Sequence, residues 1–364
     1  MNDTRKKTLA IIFFIVGVVL SIFSISLCVI RYRMDSFSLL FDNRGIFLFF
    51  SLLILVAGFY LYPTQKHRSI INVLFLLPVL IPFAMTVVIP FILGVFFSFT
   101  DWNGVKFSNF VNFENYAGVF TDKTYVYSIL LTIVFAIINV LLINVLGFLL
   151  SLLVTQKING ANIYRAGFFV PNLIGGIVLG YVWQFIFNYM FTNIGSVIGI
   201  SVMAKSMLSG PYSALAAIII VSTWQYAGYI MMIYVTALQG IPSSVIEASV
   251  IDGASGWRRM LSIIIPMCAQ AFTICLFLTL VNSFKQFDLN LTLTNGGPAL
   301  LKETIGGRLY ATNSTELQAL NIYKTAIVKN KWALGQAKAV IFFVLLAIVS
   351  LVQVTVNKKR EEEL

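Results

Sequence analysis

Charged and chemically reactive side chains are scarce in this sequence. Its 364 residues include 14 Asp and Glu, 3 Cys and 1 His, and charged residues make up 11% of the chain, against about 25% in a typical soluble domain. His67 stands between Lys66 and Arg68 at the end of an apolar run, where a solvated membrane flank is the ordinary role. No serine, cysteine or pair of carboxylates is arranged with a histidine base, so the composition argues against an enzyme.

Three further absences narrow the class of protein. Cys28, Cys268 and Cys275 lie inside apolar runs without metal-ligand or CxxC spacing, so we interpret them as packing residues and expect no metal site. The chain has no GxxxxGK[ST] loop, so we expect it to bind neither ATP nor another cofactor by itself. Its basic residues form short clusters rather than a stripe with interleaved aromatics, which argues against a nucleic-acid partner.

Long apolar runs dominate what remains. Hydrophobic residues make up 59% of the chain, and a helix needs about 20 apolar residues to cross a bilayer. We therefore predict an all-α membrane protein that contacts lipid and crosses the cell membrane about eight times. The expected spans are 8–30, 45–62, 70–98, 127–154, 166–188, 213–238, 267–290 and 334–356.

Basic clusters near the two ends of the chain indicate its orientation. An even number of spans places both termini on one side, and the clusters at 5–7 and 358–360 favour the cytoplasm. Summed over all loops, however, lysines and arginines are distributed almost evenly. The first apolar run is too long for a signal peptide and no small-x-small cleavage site follows it, so we expect an uncleaved anchor.

Three prolines interrupt the third expected span. Pro78, Pro82 and Pro90 each lack a backbone N–H, and a proline ring clashes with the preceding helical turn. We expect a break or a kink there unless neighbouring groups satisfy the freed carbonyls.

The loop at 239–266 is unusually structured for a connection between two spans. It contains the segment EASVIDGASGW at 247–257. Ser244 followed three residues later by Glu247 predicts a capping box and a helix over about 245–252. Gly253 favours the left-handed conformation that ends a helix. We expect Ser255 to cap a second helix that runs to about 265, just before Pro266.

Polar side chains follow one face of each span that flanks this loop. Those of the span at 213–238 are spaced i, i+3, i+4 and i+7, and those of the span at 267–290 repeat that spacing. Polar groups in a span face a cavity or the bundle interior. The two faces therefore line a common cavity, or alternatively they hold the helices together. The residues are Ser222, Gln225, Tyr226 and Tyr229, and Thr279, Asn282, Ser283 and Gln286.

Two ionisable residues lie near the end of the span at 267–290. Lys285 and Asp288 are three residues apart, a spacing that allows an ion pair on one helical face. Both are near the membrane surface, where long side chains reach water. We favour a structural ion pair over a contact with substrate.

Four motifs resemble one family. Glu247 to Trp257, followed by Pro266, resembles the EAA signature of binding-protein-dependent ABC importer permeases, most closely the maltose-permease-like branch that imports sugars. Ser249 stands where the family has a second alanine. The stretches RAGFFVP (165–171), TNGGP (294–298) and FENY (113–116) are similar to other parts of the same branch. The resemblance covers about 70–356 and implies a permease core at 70–364, preceded by an extension at 1–69 with two extra spans.

The resemblance implies that the EAA loop is a coupling helix that docks on an ATP-binding subunit. Glu247 has a competing role as a helix cap. A rigid helix transmits a domain closure that a flexible loop would absorb. The implied coupling residues are Ser244, Glu247, Ala248, Ser249, Asp252, Gly253 and Ala254.

The resemblance also implies a substrate and an assembly. Members of the branch bind sugar on the two helices that flank the EAA loop, and amide, hydroxyl and aromatic side chains suit sugars. The implied partners are two ATP-binding subunits that hold ATP and Mg²⁺, a second homologous permease subunit forming a heterodimer, and an extracellular or lipid-anchored sugar-binding protein. The alternative is an ion-gradient-driven secondary transporter, which usually needs carboxylates deep in the membrane. The implied substrate residues are Ser222, Gln225, Tyr226, Tyr229, Thr279, Ser283 and Gln286.

Overall fold

The computed structural model is mostly helical. It describes residues 3–33, 44–62, 65–156, 159–200, 204–303 and 309–362. Contacts between residues group the chain into two compact units, Met1–Leu93 and Gly94–Leu364. The predicted boundary at 69/70 separates the N-terminal extension from the permease core of the family. The boundary at 93/94 separates two compact units and does not test it, so it stays a prediction. The side chains of Cys28, His67 and residues 358–360 lie outside the described part.

The first unit is built on two helices that pack through small residues. Ser21 Oγ donates a hydrogen bond to Ser51 Oγ at 3.0 Å, and a Cβ added to Gly58 would lie 3.0 Å from the backbone N of Phe14. Small residues let helix backbones approach closely in a membrane, where van der Waals packing drives helix association. The helices of this unit are α1 (Asp3–Arg33), α2 (Arg44–Leu61), α3 (Gln65–Phe83) and α4 (Ile89–Phe97), which continues into the second unit.

At the three prolines, where we expected a break or a kink unless neighbouring groups satisfy the freed carbonyls, the helix does not break. Helices α3 and α4 are joined by a π-helical turn at Ala84–Val88, and Phe75–Phe97 is continuous enough to count as one membrane-spanning helix. The Thr86 hydroxyl donates to the carbonyl of Pro82 at 2.7 Å. The wider turn comes just before Pro90 and gives its ring room without ending the helix.

The second unit contains the remaining helices and one hairpin. Strands β1 (Ala299–Glu303) and β2 (Leu309–Asn313) pair antiparallel, with Leu301 opposite Ala311. The helices are α5 (Glu114–Thr121), α6 (Lys123–Thr155), α7 (Ala161–Leu173), α8 (Gly176–Phe185), α9 (Phe191–Ile198), α10 (Pro211–Gln239), α11 (Ser243–Ile251), α12 (Gly256–Arg259), α13 (Ile265–Met267), α14 (Ala269–Phe284), α15 (Asp288–Leu293), α16 (Gln318–Tyr323) and α17 (Trp332–Glu362).

Membrane-spanning helices agree with most of the predicted spans. Five are long and apolar enough by themselves, and the shorter apolar helix Gly45–Leu61 matches the second predicted span. Two predicted spans are instead bent pairs. The span at 166–188 is broken between Leu173 and Gly176, with an angle of 97°. The five long helices are Arg5–Leu27, Phe75–Phe97, Lys123–Thr155, Pro211–Gln239 and Trp332–Asn357.

The span predicted at 267–290 is interrupted at both ends. Helix α14 begins after a bend of 71° between Gly256–Met267 and Ala269–Phe284. It ends at Phe284, and α15 starts at Asp288. A single straight helix over 267–290 was therefore wrong, because α15 turns away to pack on α8, where the bare backbone of Gly180 meets Thr292.

The core of the second unit lies between α6, α10 and the segments that fold back on them. Phe135 of α6, Leu179 of α8 and Ile218 of α10 are buried in one apolar cluster with Leu289 and Leu317. Leu289 belongs to α15 and Leu317 directly precedes α16, so these two segments are inserted into the bundle rather than lying on its surface.

The motifs that resemble the permease family have structural roles at helix junctions. In FENY, Asn115 Nδ2 donates to the carbonyls of Ser98 and Thr100, both at 2.9 Å. In RAGFFVP, Arg165 donates to the carbonyl of Val154 at 3.0 Å, which satisfies the carboxyl end of α6. In TNGGP, Gly296 has a φ of +78°, so it takes the left-handed conformation that a turn there requires.

Candidate functional site

The segment after α10 forms a helix, a glycine turn and a second helix, as predicted. Gly253 has a φ of +73°. Its N–H bonds to the carbonyl of Val250 at 3.0 Å and the N–H of Ala254 bonds to that of Ser249 at 2.9 Å, which together form a Schellman motif. Ser255 Oγ accepts from the N–H of Arg258 at 3.3 Å and so caps the second helix.

The predicted capping box is wrong. Helix α11 begins at Ser243, its N-cap is Pro242, and no side chain caps it. Proline pre-sets the φ angle that a helix start needs, so the helix begins about two residues earlier than expected. Glu247 is consequently too far along the helix for its side chain to reach back to the N-cap, Pro242, as a capping box requires.

Several side chains of this segment face solvent without a partner. Glu247 is exposed, and among the described residues its carboxylate has no hydrogen bond or ion pair. Val250, Ile251 and Trp257 are 56%, 86% and 74% exposed. Large apolar side chains grouped around an unpaired carboxylate are typical of a surface that another protein covers.

The other predicted coupling residues are distributed around the same helix. Ser249 is buried, and its hydroxyl donates to the carbonyl of Ile246 at 2.6 Å. Ser244, Ala248 and Asp252 are exposed and Ala254 is half-buried. The segment is connected to α10 by the short turn 240–242 and to α14 through α12 and α13. The chain therefore connects α11 to both helices that carry the predicted substrate residues.

Three of those predicted substrate residues hold helices together. Asn139 of α6 donates to Ser222 Oγ at 3.1 Å and to Ser283 Oγ at 2.9 Å. Asn144 donates to Thr279 Oγ1 at 2.9 Å. All five side chains are buried. The hydroxyl groups thus join α10 and α14 to α6, which is the packing alternative that the sequence left open.

Sequence analysis did not single out Asn139 and Asn144. Asn144 also accepts from the hydroxyl of Tyr234 at 2.9 Å, so one amide links α6 to both neighbouring helices. The sequence did contain a sign of this role, because an asparagine inside an apolar span needs a buried hydrogen-bond partner.

A polar pocket of about 170 Å³ lies at the two helix interruptions. Gln225 and Tyr226 of α10 line it, and Gln286 lines it from the break after α14. Gln225 Nε2 donates to the carbonyl of Ile174 in the other break at 3.1 Å. Gln286 is 6% exposed, and its Nε2 is buried with no hydrogen-bond partner in the described residues. An unsatisfied donor therefore lies buried in a residue that borders the pocket.

Lys285 and Asp288 line the same pocket, together with Asn282. Both are exposed, and the part of the chain that is described contains no ion pair between them. The ion pair predicted from their spacing is therefore wrong, because the helix ends at Phe284 and the two residues no longer share a helical face. Tyr229 is half-buried and packs on the cluster around Ile230, outside the pocket lining.

A larger cavity of about 790 Å³ has a different character. It lies between α6, α7 and α10 and is lined mainly by apolar residues, Leu146, Phe168 and Trp224 among them. Trp224 also packs edge-on against Trp183, with ring centroids 5.5 Å apart. This lining offers a polar solute few hydrogen-bond partners.

Comparison with known proteins identifies the family. Residues 161–362 match the family of binding-protein-dependent transport system inner membrane components. The chain belongs to this family. The matched region contains both helix interruptions, the EAA segment and every residue of the polar pocket, so the expected membership is confirmed.

Individual relatives of this inner membrane component agree. It is 42% identical over 80% of its length to a probable starch degradation products transport system permease protein, AmyD, from Thermoanaerobacterium thermosulfurigenes, 95% of which is covered. It is 31% identical over 75% of its length to the multiple sugar-binding transport system permease protein MsmF from Streptococcus mutans, 90% of which is covered.

A solved structure confirms the fold. A chain of a bacterial alginate ABC transporter, crystallised in complex with alginate pentasaccharide-bound periplasmic protein, superimposes with a TM-score of 0.68 at 16% identity. The match covers 81% of this chain and 96% of that one. The predicted all-α permease fold of an ABC type I importer is thereby confirmed, and at this identity the likeness concerns the fold alone.

Proposed function

We propose that this chain is a transmembrane permease subunit of an ATP-driven ABC importer for a sugar or oligosaccharide. One observation carries the proposal. A surface helix with an unpaired carboxylate and exposed apolar side chains is connected by a short turn to α10 and through α12 and α13 to α14, the two helices that border the polar pocket. That arrangement suits a device in which a partner's movement is converted into opening and closing of a binding site.

The surface of α11 is the proposed docking site for an ATP-binding subunit. Ile251 and Trp257 supply apolar area and Glu247 a charge that is not used inside the chain. ATP and Mg²⁺ belong to that partner in this proposal. Both chain termini would then lie on the cytoplasmic side with α11, as the terminal basic clusters favour.

The polar pocket is the proposed place of the transported sugar. Gln225 and Gln286 offer amide groups, and Tyr226 offers an aromatic ring of the kind that covers the apolar face of a sugar. Relatives named for starch degradation products and for multiple sugars support a saccharide substrate. The hydroxyl groups of Ser222, Thr279 and Ser283 are bonded to asparagines of α6. They would contact the sugar only if these hydrogen bonds to Asn139 and Asn144 open during transport.

The proposed importer needs two further partners, a second permease subunit and a binding protein. A second, homologous permease subunit would complete the pathway as a heterodimer, and an extracellular or lipid-anchored binding protein would deliver the sugar. The name of the family itself supports delivery by a binding protein.

Reconstitution tests the proposal against a secondary transporter. The chain is purified with its co-expressed partners, reconstituted in proteoliposomes and supplied with labelled maltotriose and the binding protein. We expect uptake that requires ATP, together with sugar-stimulated ATP hydrolysis. Uptake by this chain alone, driven by a proton or sodium gradient without ATP, would establish the alternative instead.

A further inference from the structure

We propose that Lys285 and Asp288 set the charge preference of the polar pocket and make it selective for an uncharged saccharide unit. The inference rests on the proposed function, because it takes the pocket as the place where the transported substrate is held. It assigns a role to two residues that the sequence had placed in a structural ion pair.

The pocket lies where two helices are interrupted. One interruption separates α7 from α8, which begins at Gly176, and the other separates α14 from α15, which begins at Asp288. A Cβ added to Gly176 would lie 2.9 Å from Cβ of Asp288 and 3.5 Å from its Oδ2. The carboxylate therefore lies against the first residue of α8. Lys285 is the residue at which α14 ends.

Each charge is offset by a helix end rather than by the other charge. Helix amino ends carry a partial positive charge and carboxyl ends a partial negative charge. The amino end of α8 lies against the carboxylate of Asp288, and Lys285 is the C-cap of α14, whose carboxyl end favours a cation. In the described structure the two side chains form no ion pair, and both are exposed in the pocket lining. They are thus available to a ligand, and their charges sum to zero.

Gln286 carries a donor that the described residues leave unsatisfied. Its side chain is 6% exposed, lines the pocket, and leaves Nε2 without a hydrogen-bond partner among the described residues. A buried amide donor is stabilised by an acceptor. A ligand oxygen would supply that acceptor after the amide turns toward the pocket, since Nε2 has almost no accessible surface in this structure.

The arrangement of donors and acceptors selects the ligand class. Lys285 and Gln286 donate, Asp288 accepts, and the amide of Asn282 does both. Sugar hydroxyl groups donate and accept, so a neutral sugar unit satisfies all of these groups together. A sugar acid would place its carboxylate near that of Asp288, and the repulsion would offset what Lys285 contributes. The pocket therefore favours an uncharged saccharide over an acidic one of the same size.

Equilibrium dialysis tests this inference on the assembled transporter without a binding protein. The assembly, in lipid nanodiscs, is dialysed against labelled maltotriose, with unlabelled maltotriose or trigalacturonate as competitor. We expect maltotriose to displace the label and trigalacturonate to displace it poorly. Asp288→Asn removes the negative charge and should improve competition by trigalacturonate roughly 3- to 10-fold relative to maltotriose. Lys285→Gln should shift the ratio in the opposite direction.

Lys205→Gln is the matched control, since it removes an exposed lysine that is not in the pocket lining. The inference is overturned if Asp288→Asn and Lys285→Gln change the ratio no more than this control does. It is also overturned if trigalacturonate competes as well as maltotriose with the unaltered transporter, a result that needs no variant to assemble. Failure of ATP-dependent uptake of every saccharide would instead remove the proposed function. Intact maltotriose uptake without dialysable binding would remove the pocket inference alone.

Discussion

Lys338 of α17 donates a hydrogen bond to Asp122 Oδ2 at 2.7 Å. The lysine side chain is 0% exposed and that of the aspartate is 24% exposed. Lys338 Nζ also donates to Asn321 Oδ1 at 2.9 Å and to Thr325 Oγ1 at 2.8 Å. Asp122 is the N-cap of α6. One buried cation therefore joins the start of α6, the segment around α16 and the last helix.

The two partners of this ion pair should differ in what their loss costs. Asp122→Asn keeps an effective N-cap but leaves Lys338 as a buried charge without a counter-ion, and breaking a buried pair in this way costs about 3–5 kcal/mol. Lys338→Met leaves a carboxylate that water can reach, so the loss should be smaller. Thermal denaturation of the purified assembly should show a larger fall in apparent Tm for Asp122→Asn. Equal shifts would contradict the structural account of the pair.

Acid should weaken the same junction. Burial raises the pKa of Asp122, but hydrogen bonds from Lys338 and Thr124 and the charge of Lys338 outweigh it and hold the pKa below its ordinary value. A lowered pKa in the folded state adds stability that is present above the unfolded pKa of about 3.9 and is lost as the pH falls through the folded value. Apparent Tm should therefore drop on acidification below about pH 4. Asp122→Asn should drop less over that range, and an unchanged slope would contradict the assignment.

Gly180 should tolerate no side chain. A Cβ at this position would clash with the hydroxyl of Thr292 and lie 2.8 Å from its Cβ. Gly180→Ala should push α15 away from α8, lower the apparent Tm, and weaken maltotriose binding through the displaced pocket lining. Gly167→Ala is the matched control, because nothing lies within 4 Å of a Cβ there. Thr292→Ala removes the clashing hydroxyl and should partly restore the apparent Tm of Gly180→Ala. This packing is contradicted if Gly180→Ala leaves the apparent Tm unchanged and Thr292→Ala has no effect on it.

Gly253 should matter for its backbone conformation alone. Its φ is +73°, yet a Cβ would meet nothing within 4 Å. Gly253→Ala should therefore cost only about 1–2 kcal/mol of local strain, leaving assembly intact while lowering the uptake rate, because the turn between α11 and α12 loosens. Gly256→Ala, an open position with no left-handed φ, serves as the control. Equal uptake rates in the two variants would contradict a role for this turn.

Local chemistry made part of this structure predictable. Gly253 and Ser255 act through their own backbone and side chain, so their positions in the sequence were enough to predict the turn and the second helix. The start of α11 was missed because Pro242 begins the helix before the serine that looked like a cap.

The pocket could be predicted only in part, because it depends on contacts between distant segments. Spacing along α10 placed Gln225 and Tyr226 together. It could not show that α14 ends at Phe284, since that end follows from the packing of α15 against Gly180. It also could not separate Ser222 and Thr279 from the pocket lining, because their asparagine partners come from α6.

The central claim is that α11 couples ATP hydrolysis in a partner subunit to movement of the helices that line the substrate pathway. Glu247→Lys tests this claim most directly. Glu247 is exposed and caps nothing, so the change should leave the fold intact while reversing the charge that docking requires. Ser244→Lys, on the same exposed helix, controls for an added positive charge. The measurement is maltotriose imported per ATP hydrolysed in proteoliposomes. We predict that this ratio falls at least about tenfold for Glu247→Lys, or that the ATP-binding subunit no longer co-purifies, since losing a charge-assisted contact of about 1.4 kcal/mol changes an equilibrium by that factor. An unchanged ratio in a fully assembled complex would contradict the account.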